Sequence, residues 1–71
     1  MTQKLNPNKL LHSKWTAKVP KNKEKHFIVT ELIRDEKDVV IDVVLEAVYT
    51  KNTYQQPWQT LLDDHWQQGW K

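Results

Sequence analysis

The sequence has no cysteine and only one glycine among its 71 residues. The lack of cysteine excludes a disulfide framework, a thiolate zinc site and a cysteine nucleophile. A glycine-rich phosphate loop, a zinc-ligand spacing and a Ser-His-Asp arrangement are also missing. An enzyme therefore has no positive support in the sequence, and we expect a non-enzymatic protein without a metal or a cofactor.

Long apolar runs are also absent. No stretch approaches about 18 consecutive apolar residues, and the first residues lack the apolar segment of a signal peptide. We therefore expect a cytoplasmic protein that does not associate with membranes. A chain of 71 residues makes one domain near the lower size limit for independent folding, because such a domain buries only ~60% of its unfolded surface.

Charges of both signs are present but unevenly distributed. Residues 1–26 contain seven lysines and one acid, Glu24, whereas residues 27–71 contain eight acids and four basic residues. With histidine neutral, the first part carries +6 and the second −4, in agreement with the net charge of +2. This asymmetry predicts one basic surface.

Aromatic side chains are the main material for a core. Each of the four tryptophans, two tyrosines and one phenylalanine can remove roughly 150 to 250 Å² from water when buried. We expect Trp15, Trp58 and Trp66 to serve packing first. Trp70, one residue from the end of the sequence, has less cause to be buried.

Residues 39–49 have the pattern of a long central β-strand. Apolar side chains occupy every odd position: Val39, Ile41, Val43, Leu45, Ala47 and Tyr49. The even positions alternate apolar residues with Asp42 and Glu46. This period of two predicts one face shut away from water and one partly wet face, and the β-branched residues favour extended backbone.

Two strands are predicted before the central one. Residues 13–19 alternate, with Trp15, Ala17 and Val19 on one side, and Pro20 ends the strand because it cannot donate to a ladder. Residues 26–34 form the second strand. Its alternation places four side chains on one face: Phe27, Val29, Glu31 and Ile33.

Tight turns are predicted to flank the central strand. Residues 35–38 make a charged four-residue turn, and residues 50–53 make a second turn in which Asn52 is best suited to a left-handed conformation. Residues 54–56 then resume extended structure, which Pro57 places at a sheet edge.

Both ends of the sequence carry helix signals. Asn6 as N-cap and Pro7 at the first position predict a short helical turn. Thr60 and Asp63 have capping-box spacing, and Gly69 stands where a helix ends, which predicts a helix over residues 61–68. A helix beginning at Trp58 is the alternative, since it would put the apolar residues of this segment on one stripe.

These elements predict a mainly β (α+β) fold in one domain, residues 1–71. An N-terminal arm with its helical turn covers residues 1–12, antiparallel strands cover 13–58, and a C-terminal helix covers 60–70. The short connections predict a four- to five-stranded antiparallel meander. The sheet would be strongly bent, or curled into a partial SH3-like barrel, to cover its own apolar face.

The sequence resembles a small tryptophan-rich family of uncharacterised bacterial proteins, over residues 6–70. The resemblance is carried by these blocks: Asn6-Pro7, Lys9-Leu10-Leu11, Ser13-Lys14-Trp15-Thr16-Ala17, Asn22-Lys23-Glu24-Lys25-His26-Phe27, Leu45-Glu46-Ala47-Val48, Tyr54, Pro57-Trp58 and Trp66-Gln67-Gln68-Gly69-Trp70. It implies a compact cytoplasmic domain of bacterial origin with unknown function. It supplies no catalytic residues.

Histidines and carboxylates do not form a convincing site in the sequence. Asp63, Asp64 and His65 are consecutive, and on a helix consecutive side chains diverge by about 100°, so they would not converge on one ion. His26 is expected to be a polar residue at the start of a strand. No metal or catalytic residue is therefore assigned.

A lysine stripe is the best candidate for function. It comprises Lys14, Lys18, Lys21, Lys23 and Lys25, with the rings of Trp15 and Tyr54 beside it. Lysines can follow a phosphate backbone by displacing counterions, and aromatic rings can stack on unpaired bases. This predicts binding of RNA or single-stranded nucleic acid, set against the plainer interpretation of a solvated face.

A second hypothesis is a protein–protein adaptor. It would use a C-terminal aromatic surface formed by Trp66 and Trp70. Such a contact should survive both added salt and loss of the lysines, whereas nucleic-acid binding should not. The oligomeric state is taken as monomeric by default.

Overall fold

The computed structural model describes residues 6–21 and 23–70, except for the side chain of Lys21. The first five residues of the predicted arm lie outside this part. The described chain forms one five-stranded antiparallel sheet: β1 (Lys14–Lys21), β2 (Glu24–Arg34), β3 (Val40–Ala47), β4 (Thr53–Pro57) and β5 (Trp66–Gln68). Short 3-10 turns, Pro7–Lys9 and Trp58–Leu62, precede β1 and β5.

Strands β1 to β4 form the predicted meander, and the spatial order of the sheet is β4-β3-β2-β1-β5. The sheet does not close into a barrel within the described residues, because β4 and β5 are its two edges. Pro57 lies at the end of edge strand β4, as predicted. No helix in the described ranges is long and apolar enough to cross a membrane.

One face of the sheet holds the core. Its buried side chains are Trp15, Phe27, Val29, Val43, Leu45 and Ala47, together with Leu10 and Leu61 from the segments outside the strands. Asn6 caps the first turn as predicted, through an Asn8 N–H···Oδ1 bond of 3.0 Å, and Leu10 packs that turn against the core. The next residue, Leu11, is exposed.

The central strand keeps the predicted alternation only in its second half. Val43, Leu45 and Ala47 are buried, but Ile41 is 43% exposed and Val40 takes the buried position instead. The register explains the change, because Ile33 pairs with Asp42 and Arg34 with Val40, which leaves a bulge in β3. A bulge adds one residue and so reverses the faces beyond it. The predicted burial of Val39 and Ile41 is therefore wrong. The predicted burial of Tyr49 is also wrong, because β3 ends at Ala47.

Strand β2 contains a second bulge. Val29 pairs with Leu45 and Glu31 with Val44, so Thr30 has no partner in the register. Beyond this point the face reverses, and Leu32 packs against the core while Glu31 is exposed. The predicted placement of Glu31 beside Phe27 and Val29 is corrected by the same physical reason.

The predicted C-terminal helix is wrong. Residues 58–62 form a 3-10 turn that begins at Trp58, and residues 66–68 form a strand paired with β1. The Thr60 hydroxyl donates to the Pro57 carbonyl at 2.7 Å, so it does not cap a helix. Pairing with β1 wins because an isolated helix of about eight residues is marginal in water. Gly69 does have positive φ, but it ends a strand.

Two smaller predictions are also corrected. Pro20 does not end β1, which continues to Lys21. In the turn after β3, Lys51 rather than Asn52 takes the left-handed conformation, with φ 67°. The turn at residues 35–38 is confirmed, since Asp38 N–H donates to the Asp35 carbonyl at 3.0 Å.

Candidate functional site

The β1–β2 hairpin carries the lysines that the sequence assigns to nucleic acid. Lys14, Lys18, Lys23 and Lys25 are all exposed, and the side chain of Lys21 is outside the described part. Lys23 lies at the tip with φ 63°. We call Lys18, Lys23 and Lys25 the hairpin lysines.

Glu24, the acid of this hairpin, is turned inward and only 4% exposed. Its Oε1 accepts from the Tyr54 hydroxyl, and its Oε2 accepts from the Thr50 hydroxyl and from Asn52 Nδ2 at 3.2 Å. All three donors lie in the β3–β4 turn or in β4. The carboxylate therefore fastens the start of β2 to that turn.

These contacts change the acidity of both partners. The hydrogen bond from Thr50, followed by that from Tyr54, lowers the pKa of Glu24 against the opposing effect of burial. The bond to Glu24 raises the pKa of the Tyr54 phenol. Near neutral pH Glu24 is thus an anion whose oxygens are occupied by neutral donors.

The β3–β4 turn brings an exposed ring to the same end of the molecule. Val48 N–H donates to the His26 carbonyl at 2.9 Å, so residues 48–52 lie directly beside the start of β2. Tyr49 is 80% exposed there, and Lys51, two residues further along the chain, is exposed as well. We call the hairpin lysines together with Tyr49 and Lys51 the cationic end.

Trp70 forms a cluster on the other face of the sheet. Its indole Nε1 donates to the Phe27 carbonyl at 3.0 Å, and the Lys14 ammonium lies 4.7 Å from the ring centroid. The His26 ring is 6.1 Å away and tilted by 54°. Gly69 holds the end of the chain against β1, because its carbonyl accepts a hydrogen bond from the Thr16 hydroxyl at 2.6 Å. Trp70 is 44% exposed.

Trp15 and Trp66 are placed differently from Trp70. Trp15 is 3% exposed and its indole Nε1 donates to Ser13 Oγ at 2.8 Å, so its ring cannot reach a bound base. Trp66 is half-buried, opposite Ala17 in the register, and meets Phe27 edge to face at 5.2 Å. Lys14 and His26 alternate with Trp15 and Phe27 along their strands. The rings of Trp66 and Trp70 therefore lie on opposite faces of the sheet.

A groove of about 640 Å³ lies over the core face. Its floor includes Phe27 and Leu45, one side has Tyr54 and Gln56 of β4, and the other has Trp66 of β5. Because β4 and β5 are opposite edges of the sheet, the sheet must curve for both to flank one groove. The groove thus lies between the two edge strands, which would pair with each other if the sheet closed into a barrel.

Asp63 and His65 stand at the rim of this groove. Asp63 Oδ1 accepts from the backbone N–H of His65 at 2.7 Å and lies 3.1 Å from its Nδ1, and the first of these bonds chiefly lowers the pKa of Asp63. The expectation that these side chains diverge fails because the helix is absent. In the part of the chain that the structure describes, no three potential ligands are placed to hold a metal ion.

Several residues of these sites were missed at the level of sequence. Tyr49 was assigned to the buried face of the central strand. It is exposed because β3 ends at Ala47, two residues before it, and the alternation of the sequence does not reveal that end. The three donors around Glu24 come from 26 to 30 residues away, and no local pattern announces such contacts. Gln56 likewise comes to line the same groove as Asp63 and His65 only through folding.

The chain is related to a known protein family. No curated protein and no solved structure matches the chain. The family model described as "Tryptophan-rich protein (DUF2389)" matches residues 13–71, which include all five strands. The chain therefore belongs to this tryptophan-rich family, a family of unknown function.

Proposed function

We propose that the domain is a non-enzymatic module that binds RNA or single-stranded DNA at its cationic end. The observation that carries the proposal is the inward orientation of Glu24. This residue is the one acid among the first 26 residues, which also hold seven lysines. Because its oxygens are occupied by Thr50, Asn52 and Tyr54, it forms no ion pair with the described lysines. The hairpin lysines remain exposed to phosphates.

Tyr49 supplies the ring that the proposal needs. Single-stranded binding surfaces combine cations that follow the backbone with aromatic faces on which bases stack. Trp15 is buried and cannot serve, whereas the Tyr49 side chain is 80% exposed beside the start of β2. Tyr49 therefore takes the stacking role that was predicted for Trp15. Lys14, whose ammonium lies over the Trp70 ring, offers a further cation on the face of the sheet opposite the core.

The adaptor alternative is weaker because its two rings do not share a surface. Trp66 faces the groove, and Trp70 packs with Lys14 and His26 on the other side of the sheet. A protein contact would have to use the half-exposed ring of Trp70 alone.

The test compares two double variants with the same change in charge. Lys23→Glu/Lys25→Glu alters the cationic end, and Lys9→Glu/Lys37→Glu alters exposed lysines near the opposite end of β2, where Asn8 bonds Arg34 and Lys37 lies in the turn after it. Binding of a fluorescent oligonucleotide of about 12 residues is measured at roughly 50 mM salt. We expect the first variant to lose roughly tenfold or more in affinity and the second to lose much less.

Two results would contradict the proposal. The first is that the unaltered protein does not bind the oligonucleotide even at low salt. The second is an equal loss in both double variants, since that would reduce the effect to net charge. Tyr49→Ala adds a separate reading, because loss of one stacked base should weaken binding at every salt concentration.

A further inference from the structure

We propose that the groove over Phe27 receives one unpaired nucleobase of the strand whose phosphates lie on the hairpin lysines. This inference rests on the proposed function and names what the groove would hold. It goes beyond that function because a cationic end alone binds phosphates without requiring any base to enter the protein.

Continuity with the cationic end is the first argument. Glu24 lines the groove and directly follows Lys23 at the tip of the hairpin. Lys18 points to the other face, because its strand neighbours Ala17 and Val19 both line the groove. The backbone N–H of Lys18 also donates to the carbonyl of His65, a rim residue, at 2.8 Å. A phosphate on Lys23 at the hairpin tip therefore lies next to the mouth of the groove.

The charge inside the groove selects between the parts of a nucleotide. Two acids, Glu24 and Asp63, contribute to its lining. A phosphate would be repelled there, whereas a neutral base would not. Glu24 needs no cation from a ligand, since neutral donors already occupy its oxygens. The lysines outside and the carboxylates inside thus favour a strand that leaves its phosphates at the rim and turns a base inward.

The shape and lining of the groove fit a flat aromatic ligand. Tyr54 meets Phe27 at 6.2 Å and 66°, and Trp66 meets it at 5.2 Å and 78°, so both rings rise steeply from Phe27. Its volume of about 640 Å³ falls in the range of roughly 300 to 1,000 Å³ typical of small-ligand pockets. A base has an apolar face that can stack on these rings.

Polar groups at the rim suit the edge of a base. The Gln56 amide, which donates to Thr60 Oγ1 at 2.7 Å, stands on one side, and the Asp63–His65 pair stands across from it. Together they supply donors and acceptors, as hydrogen bonding along a base edge requires. A fatty or purely aliphatic occupant would leave these groups without new partners.

The test compares two oligomers of equal length, one of thymidine nucleotides and one abasic, at the same low salt. Both carry the same phosphates, so only the first can place a base in the groove. We expect the abasic oligomer to bind roughly tenfold more weakly. In NMR spectra the indole N–H signal of Trp66 should shift with the thymidine oligomer only, while that of the buried Trp15 stays in place.

A groove variant provides the second arm. Ala17→Leu adds bulk beside Trp66, and Val39→Leu adds bulk at an exposed position in the turn before β3. We expect Ala17→Leu to reduce binding of the thymidine oligomer toward the level of the abasic one, with Val39→Leu unchanged. Thermal unfolding checks that both variants are folded. If Ala17→Leu does not fold, the comparison of the thymidine and abasic oligomers on the unaltered protein still tests the inference.

The outcomes separate the two proposals. If neither oligomer binds, the proposed function is wrong, and this inference is wrong with it. If the Trp66 signal moves with neither oligomer, phosphate binding stands and the base-binding groove is overturned, and a remaining preference for the thymidine oligomer is then assigned to Tyr49. A Trp66 signal that shifts with protein concentration in the absence of oligomer would assign the groove to a second copy of the chain and also overturn the inference.

Discussion

At the scale of single residues, Glu24 determines which charges the hairpin presents. It lies between Lys23 and Lys25, and an outward carboxylate there would neutralise part of their field. The three neutral donors from residues 50–54 hold it inward instead. The Glu24 side chain therefore has two effects. It joins the start of β2 to the β3–β4 turn, and it does not form an ion pair with the neighbouring lysines.

Glu24 should make stability depend on pH. Its pKa is lowered in the folded state from a reference of 4.5, so above about that pH both states are deprotonated and the stabilisation is fully present. As pH falls through the folded-state pKa, the stabilisation is lost, because the unfolded chain takes up the proton first. We expect Glu24→Gln to lower the melting temperature at neutral pH and to show a smaller further decrease down to about pH 3.

The control for this prediction is Glu36→Gln, in the exposed turn before β3. It should follow the unaltered protein at every pH. Melting curves of Glu24→Gln that run parallel to those of the unaltered protein through acid pH would contradict the role given to Glu24.

At the scale of elements, two bulges decide which side chains face the core. Thr30 in β2 and the Val40–Ile41 step in β3 each reverse the alternation of their strand. An acid in an otherwise apolar pattern, Glu31, is the trace that the first bulge leaves in the sequence. The second leaves none, because both Val40 and Ile41 are apolar.

The bulge in β3 can be tested by matched substitutions at adjacent positions. Val40 is 3% exposed and Ile41 is 43% exposed. We expect Val40→Thr to reduce the free energy of unfolding by about 1 to 3 kcal/mol, because it buries a hydroxyl in place of a methyl group. Ile41→Thr should change the free energy of unfolding by no more than about 0.5 kcal/mol. Urea denaturation measures both.

The opposite ranking would show that strict alternation continues to the start of β3. Two large losses of similar size would show that both side chains are buried. Either result would contradict the register in which Arg34 pairs with Val40.

The last segment shows how tertiary contacts override local signals. Thr60, Asp63 and Gly69 have the spacing of a capped helix, yet residues 66–68 pair with β1. A strand added to an existing edge gains hydrogen bonds and the contact of Trp66 with Phe27. A two-turn helix would form only a few internal hydrogen bonds and is marginal in water by itself. The same pairing then returns Trp70 to the other face of the sheet.

At the scale of the whole molecule, the charge asymmetry of the sequence becomes a difference between its ends. The hairpin lysines and Lys51 gather where β2 begins. Arg34, Asp35, Glu36 and Asp38 lie where β2 ends, and Arg34 Nε is 3.7 Å from Asp38 there. A small net charge of +2 therefore conceals a cationic end beside the groove.

The salt dependence of oligonucleotide affinity should show how many cations contact phosphates at the cationic end. For single strands the slope of log K against log salt is about −0.7 for each phosphate neutralised. Contacts through three or four lysines thus predict a slope of roughly −2 to −3, and Lys23→Glu/Lys25→Glu should make it shallower by about 1.4. Titrations at several salt concentrations measure the slope. A slope near zero in the unaltered protein would contradict phosphate binding at the cationic end.

The amino-acid sequence by itself determined the strands β1 to β4, their order as a meander, the turn at residues 35–38 and the tryptophan-rich family. Each follows from the alternation of neighbours in the chain, from turn-forming residues, or from short motifs, all of which are local. It also determined that the lysines concentrate in one hairpin, since their spacing is part of the sequence.

Only the tertiary structure decided the two bulges, the pairing of β5, the inward turn of Glu24 and the exposure of Tyr49. The physical reason is that each depends on a partner distant in the chain. A bulge is defined by the strand opposite, and a short segment becomes a strand only when an edge is present to receive it. A carboxylate likewise turns inward only when folding has brought its donors together.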